Sequence, residues 1–277
     1  MPLISASHLK ARLASLLLLD ARPDARDYLA GHLAGALHAD LNRHLSTAQD
    51  PGHDPQHGGR HPLPAPARFA AQLGSWGIRP DTDVVAYDAS GGGNAAARLW
   101  WMLRALGHRR VFVLDGGLAA ALHMGLPLSV LAPSPHPCRP YPADHWGFPT
   151  LEAETVERLR LDPSWKLMDV RSAERWRGDA ESLDPVAGHI PGSLNLAWND
   201  NLGPNGCFKA PEALRRQYLA LLDGTPSERL TVHCGSGVTA CHTLLALEAA
   251  GLPGASLYVG SWSEWCRSGR PQAGPHA

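Results

Sequence analysis

The stretch Leu16-Leu17-Leu18-Leu19-Asp20-Ala21-Arg22, followed by Gly31-His32-Leu33-Ala34-Gly35-Ala36, returns later as Lys166-Leu167-Met168-Asp169-Val170-Arg171, followed by Gly188-His189-Ile190-Pro191-Gly192-Ser193. Two further landmarks keep the same order. Val84-Val85-Ala86-Tyr87-Asp88 with Ala89-Ser90-Gly91 matches Leu230-Thr231-Val232-His233-Cys234 with Gly235-Ser236-Gly237, and Val111-Phe112-Val113-Leu114-Asp115-Gly116 matches Ser256-Leu257-Tyr258-Val259-Gly260. The members of each pair stand 144 to 157 residues apart, so the chain is a duplicated domain.

Within each half, short apolar runs ending at Asp, Cys or Gly alternate with Ala/Leu-rich stretches such as 95–106 and 240–250. Short buried strands separated by helices predict an α/β fold: two tandem domains, each a mainly parallel sheet flanked by helices. Between the halves, Pro127 to Pro149 carries seven prolines, too many for a helix or a central strand. The expected division is 1–126 and 150–277, with 127–149 as a semi-rigid, extended linker.

Composition narrows the function. In 277 residues, 44% are hydrophobic and 18% charged, and the net charge is -1, so there is no cationic field for nucleic acid. The longest early apolar run, Leu16 to Leu19, meets Asp20 at once, which predicts neither a membrane helix nor a secretory signal. Five cysteines (Cys138, Cys207, Cys234, Cys241, Cys266) are too few for a disulfide framework and favour thiol chemistry in a reducing cytoplasm. No Cys/His spacing suggests zinc, and His53, His57 and His61 fall in a Gly/Pro/Asp-rich loop without metal-ligand spacing, so no metal is expected. Gly91-Gly92-Gly93-Asn94 lacks the lysine and hydroxyl residue of a phosphate-binding loop, and Trp100-Trp101 and Trp262/Trp265 read as packing pairs, so no cofactor is expected either.

The sharpest chemical signal is Cys234-Gly235-Ser236-Gly237-Val238-Thr239, which follows an apolar strand and precedes a helix beginning near Ala240. A strand end, a glycine-bearing loop and a helix start bring successive backbone N–H groups around one point, a geometry that favours anions and makes Cys234 a candidate nucleophilic thiolate. The other four cysteines read as buried and inert.

These motifs resemble the tandem-domain rhodanese (sulfurtransferase) family over nearly the whole chain: Asp169-Val170-Arg171, Gly188-His189-Ile190-Pro191-Gly192, the Cys234 loop, and Gly260-Ser261-Trp262-Ser263-Glu264-Trp265. Ala34 stands where the first half usually has proline, and Val259 where an acid usually precedes Gly260. The resemblance implies two rhodanese-like domains, the first catalytically silent because Asp88 occupies the position of Cys234. It further implies a persulfide on Cys234, with Gly235, Gly237, Val238 and Thr239 lining the substrate. The loop is similar to that of 3-mercaptopyruvate sulfurtransferases, whereas thiosulfate sulfurtransferases carry Arg and Lys after the cysteine. By the same resemblance Arg175 grips the donor carboxylate, and Ser236, His61 and Asp40 form a proton relay. A second family arginine is absent, with Ser182 in its place, and Arg177 is the candidate substitute.

The implied partners are a small-molecule sulfur donor and a thiol acceptor, either a small thiol or a thioredoxin-like protein, or cyanide; neither nucleic acid nor membrane is implied. Thiosulfate is the alternative donor. A phosphatase of the same fold places arginine six residues after its cysteine, and this chain has Ala240 there. A non-enzymatic binding or regulatory module is the remaining alternative, against which the retention of Cys234 argues.

Overall fold

The alternation of apolar runs and Ala/Leu-rich stretches becomes, in a computed structural model that describes residues 1–93 and 95–274, two three-layer α/β units. Asn94, part of the glycine-rich turn considered above, lies outside the described residues. One unit comprises Met1–Thr47, Pro64–Gly147 and Leu202–Phe208; the other comprises Ala48–Leu63, Phe148–Asn201 and Lys209–Ala277.

In the first unit the strands are β1 (Leu3–Ile4), β2 (Leu17–Asp20), β3 (His32–Leu33), β4 (Leu37–His38), β5 (Val84–Tyr87), β6 (Val111–Leu114) and β7 (Leu128–Ser129). The helices are α1 (Ala6–Arg12), α2 (Ala25–Ala30), α3 (Pro66–Ser75), α4 (Ala95–Ala105) and α5 (Gly117–His123). The sheet runs β1-β6-β5-β2-β4, all parallel. Every residue of β5 is buried, as a central parallel strand covered on both faces must be.

The second unit has β8 (Lys166–Asp169), β9 (Leu194–Asn195), β10 (Leu230–His233) and β11 (Ser256–Leu257), with α6 (Ala153–Leu159), α7 (Ala173–Arg177), α8 (Pro211–Leu222), α9 (Ala240–Ala249) and α10 (Ser261–Trp265). Its sheet runs β11-β10-β8-β9, again parallel, and Thr150 bridges to Leu257 beyond β11 as β1 flanks β6. The same strand order in both units confirms the duplication.

The repeated Asp-x-Arg and Gly-His motifs have one structural cause. At the end of β2 the buried Asp20 carboxylate receives Arg22 Nη2 at 2.7 Å, and the same nitrogen donates to the Gly31 carbonyl at 2.6 Å. At the end of β8, Arg171 Nη2 donates to Asp169 at 2.7 Å and to the Gly188 carbonyl at 2.7 Å. One guanidinium thus ties a strand end to the loop that leads from the crossover helix back into the sheet.

The proline-rich stretch is fastened along the first unit rather than free. β7 pairs antiparallel with β3, the Cys138 and Tyr141 N–H groups donate to the Gly74 and Ala70 carbonyls of α3, and that of Gly147 donates to the Ala105 carbonyl. Residues between the prolines keep their N–H groups, and these fasten the segment to the first unit.

Candidate active site

Residues 234–239 join β10 to α9, and Cys234 is 1% exposed. Its N–H donates to Ser261 Oγ at 3.2 Å, which in turn donates to the Tyr258 carbonyl at 2.9 Å. The Cys234 and Gly235 carbonyls accept the Trp262 and Ser263 N–H groups at 3.0 and 2.9 Å. Ser261 holds this bracket from a left-handed conformation, φ 56°, unusual for a residue with a side chain. Gly237 takes φ 73°, and a Cβ there would collide with the Val259 carbonyl oxygen. The loop therefore requires glycine at this position.

This bracket uses the loop's carbonyls and leaves donors free. Among the described residues, the N–H groups of Gly235, Ser236, Val238 and Thr239 have no protein acceptor. In the first unit the corresponding loop closes on itself, because Asp88 accepts the N–H groups of Ser90, Gly92 and Ala96 at 2.8, 2.9 and 3.2 Å. One loop is an anion cradle filled by its own carboxylate; the other offers its donors to a ligand.

Cationic groups converge on the open loop. The hydrogen-bearing face of Gly235, where a Cβ would stand, lies 3.1 Å from Arg60 Nη2 and 3.5 Å from Arg175 Nη1. Arg175 is held by Glu181, with Nη2 to Oε1 at 2.8 Å and Nε to Oε2 at 3.2 Å. Glu181 also receives Arg171 and accepts the N–H groups of Ser182, Leu183 and Asp184, which fixes the turn. Arg60 donates to the buried Asp184, which accepts from Arg267 as well, at 2.8 Å. Burial alone would raise the Asp184 carboxyl, but the Arg60 and Arg267 bonds hold it below the ordinary carboxylate value. Arg177 is two positions beyond Arg175 on α7, about 200° around the helix, and pairs with Asp179 at 2.7 Å. Ser182 faces solvent.

Arg60 belongs to a short arm whose successive residues are each anchored within the second unit. The Gly58 N–H donates to Glu264 at 2.9 Å, Gly59 packs its bare Cα against the Gly260 backbone, and Arg60 meets Asp184. His61 Nδ1 lies 2.8 Å from Ser236 Oγ. Asp40 is part of the first unit, where its carboxylate accepts the Asn42 and Arg43 N–H groups at 2.8 and 3.0 Å.

The remaining thiols are differently placed. Cys241 is buried and donates to the Gly237 carbonyl at 3.4 Å, while burial pushes the Cys266 thiol up to about 11. Burial and the Asp115 carboxylate also raise Cys207. No group of three or more His, Cys, Asp or Glu side chains able to hold a metal occurs among the described residues, and no helix there is long and apolar enough to cross a membrane.

Sequence reading singled out Cys234, Ser236, His61 and Arg175, which the structure gathers around one loop. It missed Arg60, Asp184 and Ser261. Arg60 stands next to His61 in sequence, yet nothing in spacing or composition marks it, because its place depends on where the arm packs.

Comparison with known proteins agrees with this geometry. The Rhodanese-like domain family matches residues 5–123 and 152–268. A probable 3-mercaptopyruvate sulfurtransferase of Pseudomonas aeruginosa is 48% identical over 211 residues, covering 74% of this chain and 72% of its own. A thiosulfate sulfurtransferase of Mus musculus is 37% identical over 219 residues, covering 76% and 71%. The solved 3-mercaptopyruvate sulfurtransferase from Leishmania major superposes with a TM-score of 0.84 at 28% identity, over 97% of this chain and 75% of its own. With an open anion cradle around a cysteine in one unit, a closed one in the other, and the family's domain present twice, the chain belongs to the rhodanese family and is a sulfurtransferase.

Proposed function

We propose that this sulfurtransferase draws its sulfur from 3-mercaptopyruvate, and the observation that carries the reading is the grouping of Arg175 and Arg60 against Gly235 of the Cys234 loop, with His61 meeting Ser236 of the same loop. Arg175 and Arg60 take the donor's carboxylate, the latter filling the role of the arginine that Ser182 replaces. The Cys234 thiolate attacks the donor sulfur, the C–S bond breaks, and its electron pair leaves on carbon as the pyruvate enolate. The proton from the donor S–H passes through Ser236 and His61 to that enolate carbon, giving pyruvate and the Cys234 persulfide anion. The free N–H groups of the loop hold the charge on the outer sulfur. An acceptor thiolate then attacks the outer sulfur and releases the Cys234 thiolate, so the acceptor leaves as a persulfide; cyanide leaves as thiocyanate. Small thiols and thioredoxin-like proteins are the acceptors this chemistry suits. Five free cysteines among the described residues fit a reducing compartment, the cytoplasm.

Steady-state transfer to cyanide, with mercaptopyruvate and thiosulfate compared side by side, tests the donor. Mercaptopyruvate is expected to show the higher kcat/KM, and a clear preference for thiosulfate would reverse the assignment. Arg175→Ala is expected to lower kcat/KM for mercaptopyruvate roughly ten- to hundredfold, the worth of about 1.5–3 kcal/mol for a charge-assisted bond. Arg175→Lys should be nearly as impaired, because lysine keeps the charge and loses the planar fork that binds Glu181 and donor together.

The relay makes a separate prediction. His61→Ala and Ser236→Ala are expected to reduce mercaptopyruvate turnover by similar factors, with the double variant little worse than either, since groups acting as a unit are strongly non-additive. Thiosulfate releases sulfite without a proton transfer and should lose less. Additive losses with mercaptopyruvate would show that the two residues act independently.

A further inference from the structure

Six ion pairs in the second unit form one connected network: Arg171 with Asp169 and Glu181, Arg175 with Glu181 and Asp184, and Asp184 with Arg60 and Arg267. Four guanidinium groups against three carboxylates leave it one net positive charge beside the thiol. Asp184 is the hub. Its side chain is 0% exposed and reaches three of the four arginines, two of which flank Gly235.

The second Asp184 oxygen is unusual. Oδ2 is buried and has no hydrogen-bond partner among the described residues, standing 3.7 Å from Arg175 Nη2. A buried carboxylate oxygen without a donor is destabilising, so packing does not account for it. What that oxygen supplies is charge. It subtracts from the field of Arg60 and Arg175 at the position where a donor anion must sit.

We infer that Asp184 sets the donor charge: its buried carboxylate trims the arginine cluster to a field suited to a monoanionic α-keto acid and disfavours a dianionic sulfur oxyanion such as thiosulfate. This rests on the carboxylate-binding role proposed above for Arg60 and Arg175. An extra unit of positive charge a few ångströms from the donor strengthens the pull on every unit of donor charge, so the dianion gains more than the monoanion. Asp184 acts through the arginines, as a positioning and field-setting residue.

The test is the ratio of kcat/KM for thiosulfate to that for mercaptopyruvate, measured with cyanide as acceptor across a salt series. Asp184→Asn keeps the side chain's shape and its acceptor for Arg60, removes the charge, and is expected to raise the ratio about tenfold with a steeper salt dependence of thiosulfate turnover. Asp184→Glu should keep a ratio near that of the unaltered protein. Arg60→Gln should lower the ratio, and Arg60→Gln/Asp184→Asn, which restores the charge balance and leaves no buried partner unpaired, should bring it back. That double variant carries the test if Asp184→Asn does not fold. An unchanged or lowered ratio in Asp184→Asn, or a double variant whose ratio departs from the unaltered protein's as far as Arg60→Gln does, would overturn the inference. Failure of the unaltered protein to use mercaptopyruvate would instead overturn the donor assignment on which it rests.

Discussion

Cys234→Ser is expected to abolish sulfur transfer, lowering turnover by roughly four to six orders of magnitude, the scale seen when a covalent nucleophile is removed. Serine is nearly isosteric, so the Ser261 and Trp262 brackets on the residue's N–H and carbonyl survive and the fold is unaffected. The loss is chemical, because a hydroxyl cannot carry a sulfane sulfur at this site. Intact-mass measurement after donor treatment should show one added sulfur on the unaltered protein and none on Cys234→Ser. Cys241 is fully buried with its thiol donating to the Gly237 carbonyl, and burial drives the Cys266 thiol up to about 11, which disfavours its thiolate. A persulfide on either residue in the Cys234→Ser protein would refute the single-carrier mechanism.

Arg171→Met is expected to cost about 3–5 kcal/mol of stability in urea unfolding, because it strands a buried carboxylate. Asp169 is fully buried, and desolvation alone would raise its carboxyl; the Arg171 charge and hydrogen bonds outweigh burial and hold it below the ordinary value near 3.8. A depressed carboxyl contributes stability that is present above its unfolded pKa and lost as pH falls through the folded one. The unaltered protein should therefore hold this contribution down to about pH 4 and lose it below. In Arg171→Met burial is opposed only by the backbone N–H of residue 171, which still donates to Oδ1, and by the weaker influence of His233, so the Asp169 carboxyl rises and the folded state binds more protons than the unfolded chain above pH 4. Its stability should fall as pH rises from 4 towards 7, the opposite slope. Urea midpoints at several pH values read this directly, and parallel pH profiles for the two proteins would remove the buried pair from the account. The Gly188 carbonyl also loses its donor, so the loop entering β9 should loosen first, visible as faster hydrogen exchange there.

Much of this was legible from linear sequence, for a physical reason. Strand–loop–helix segments such as 230–249 are local: an apolar run, a glycine where φ must be positive and a helix start all sit within twenty residues, so their order reveals the cradle. The duplication was legible for a similar reason, since Asp-x-Arg and its glycine partner recur in the same order, the arginine and glycine standing 9 residues apart in the first half and 17 in the second, and one guanidinium explains both. That the first unit has no thiol at this position could also be read from Asp88 alone, although only its bonds to Ser90, Gly92 and Ala96 show that its carboxylate fills the cradle.

Charge placement was legible only at Arg175, and there only through the family resemblance. A guanidinium reaches several ångströms from its backbone, and whether it meets a loop depends on which surface its segment packs against. Arg175 and Arg177 look equivalent in sequence, but a helix turns them to opposite faces, so one joins Glu181 near the loop and the other joins Asp179 in solvent. Residues 58–61 read as part of the first half, yet they pack with the second unit, one anchor per residue, which is how Arg60 reaches Gly235 and His61 reaches Ser236. The sequence by itself determined the repeat, the parallel sheets and the candidate nucleophile, because each announces itself in a local pattern: a recurring motif, short apolar runs alternating with helical stretches, or a strand, glycine loop and helix start in direct succession. Only the tertiary structure decided that Arg60 joins Arg175 beside Gly235 and meets Asp184, because the Arg60–Asp184 pair spans 124 positions and depends on packing that no local pattern encodes.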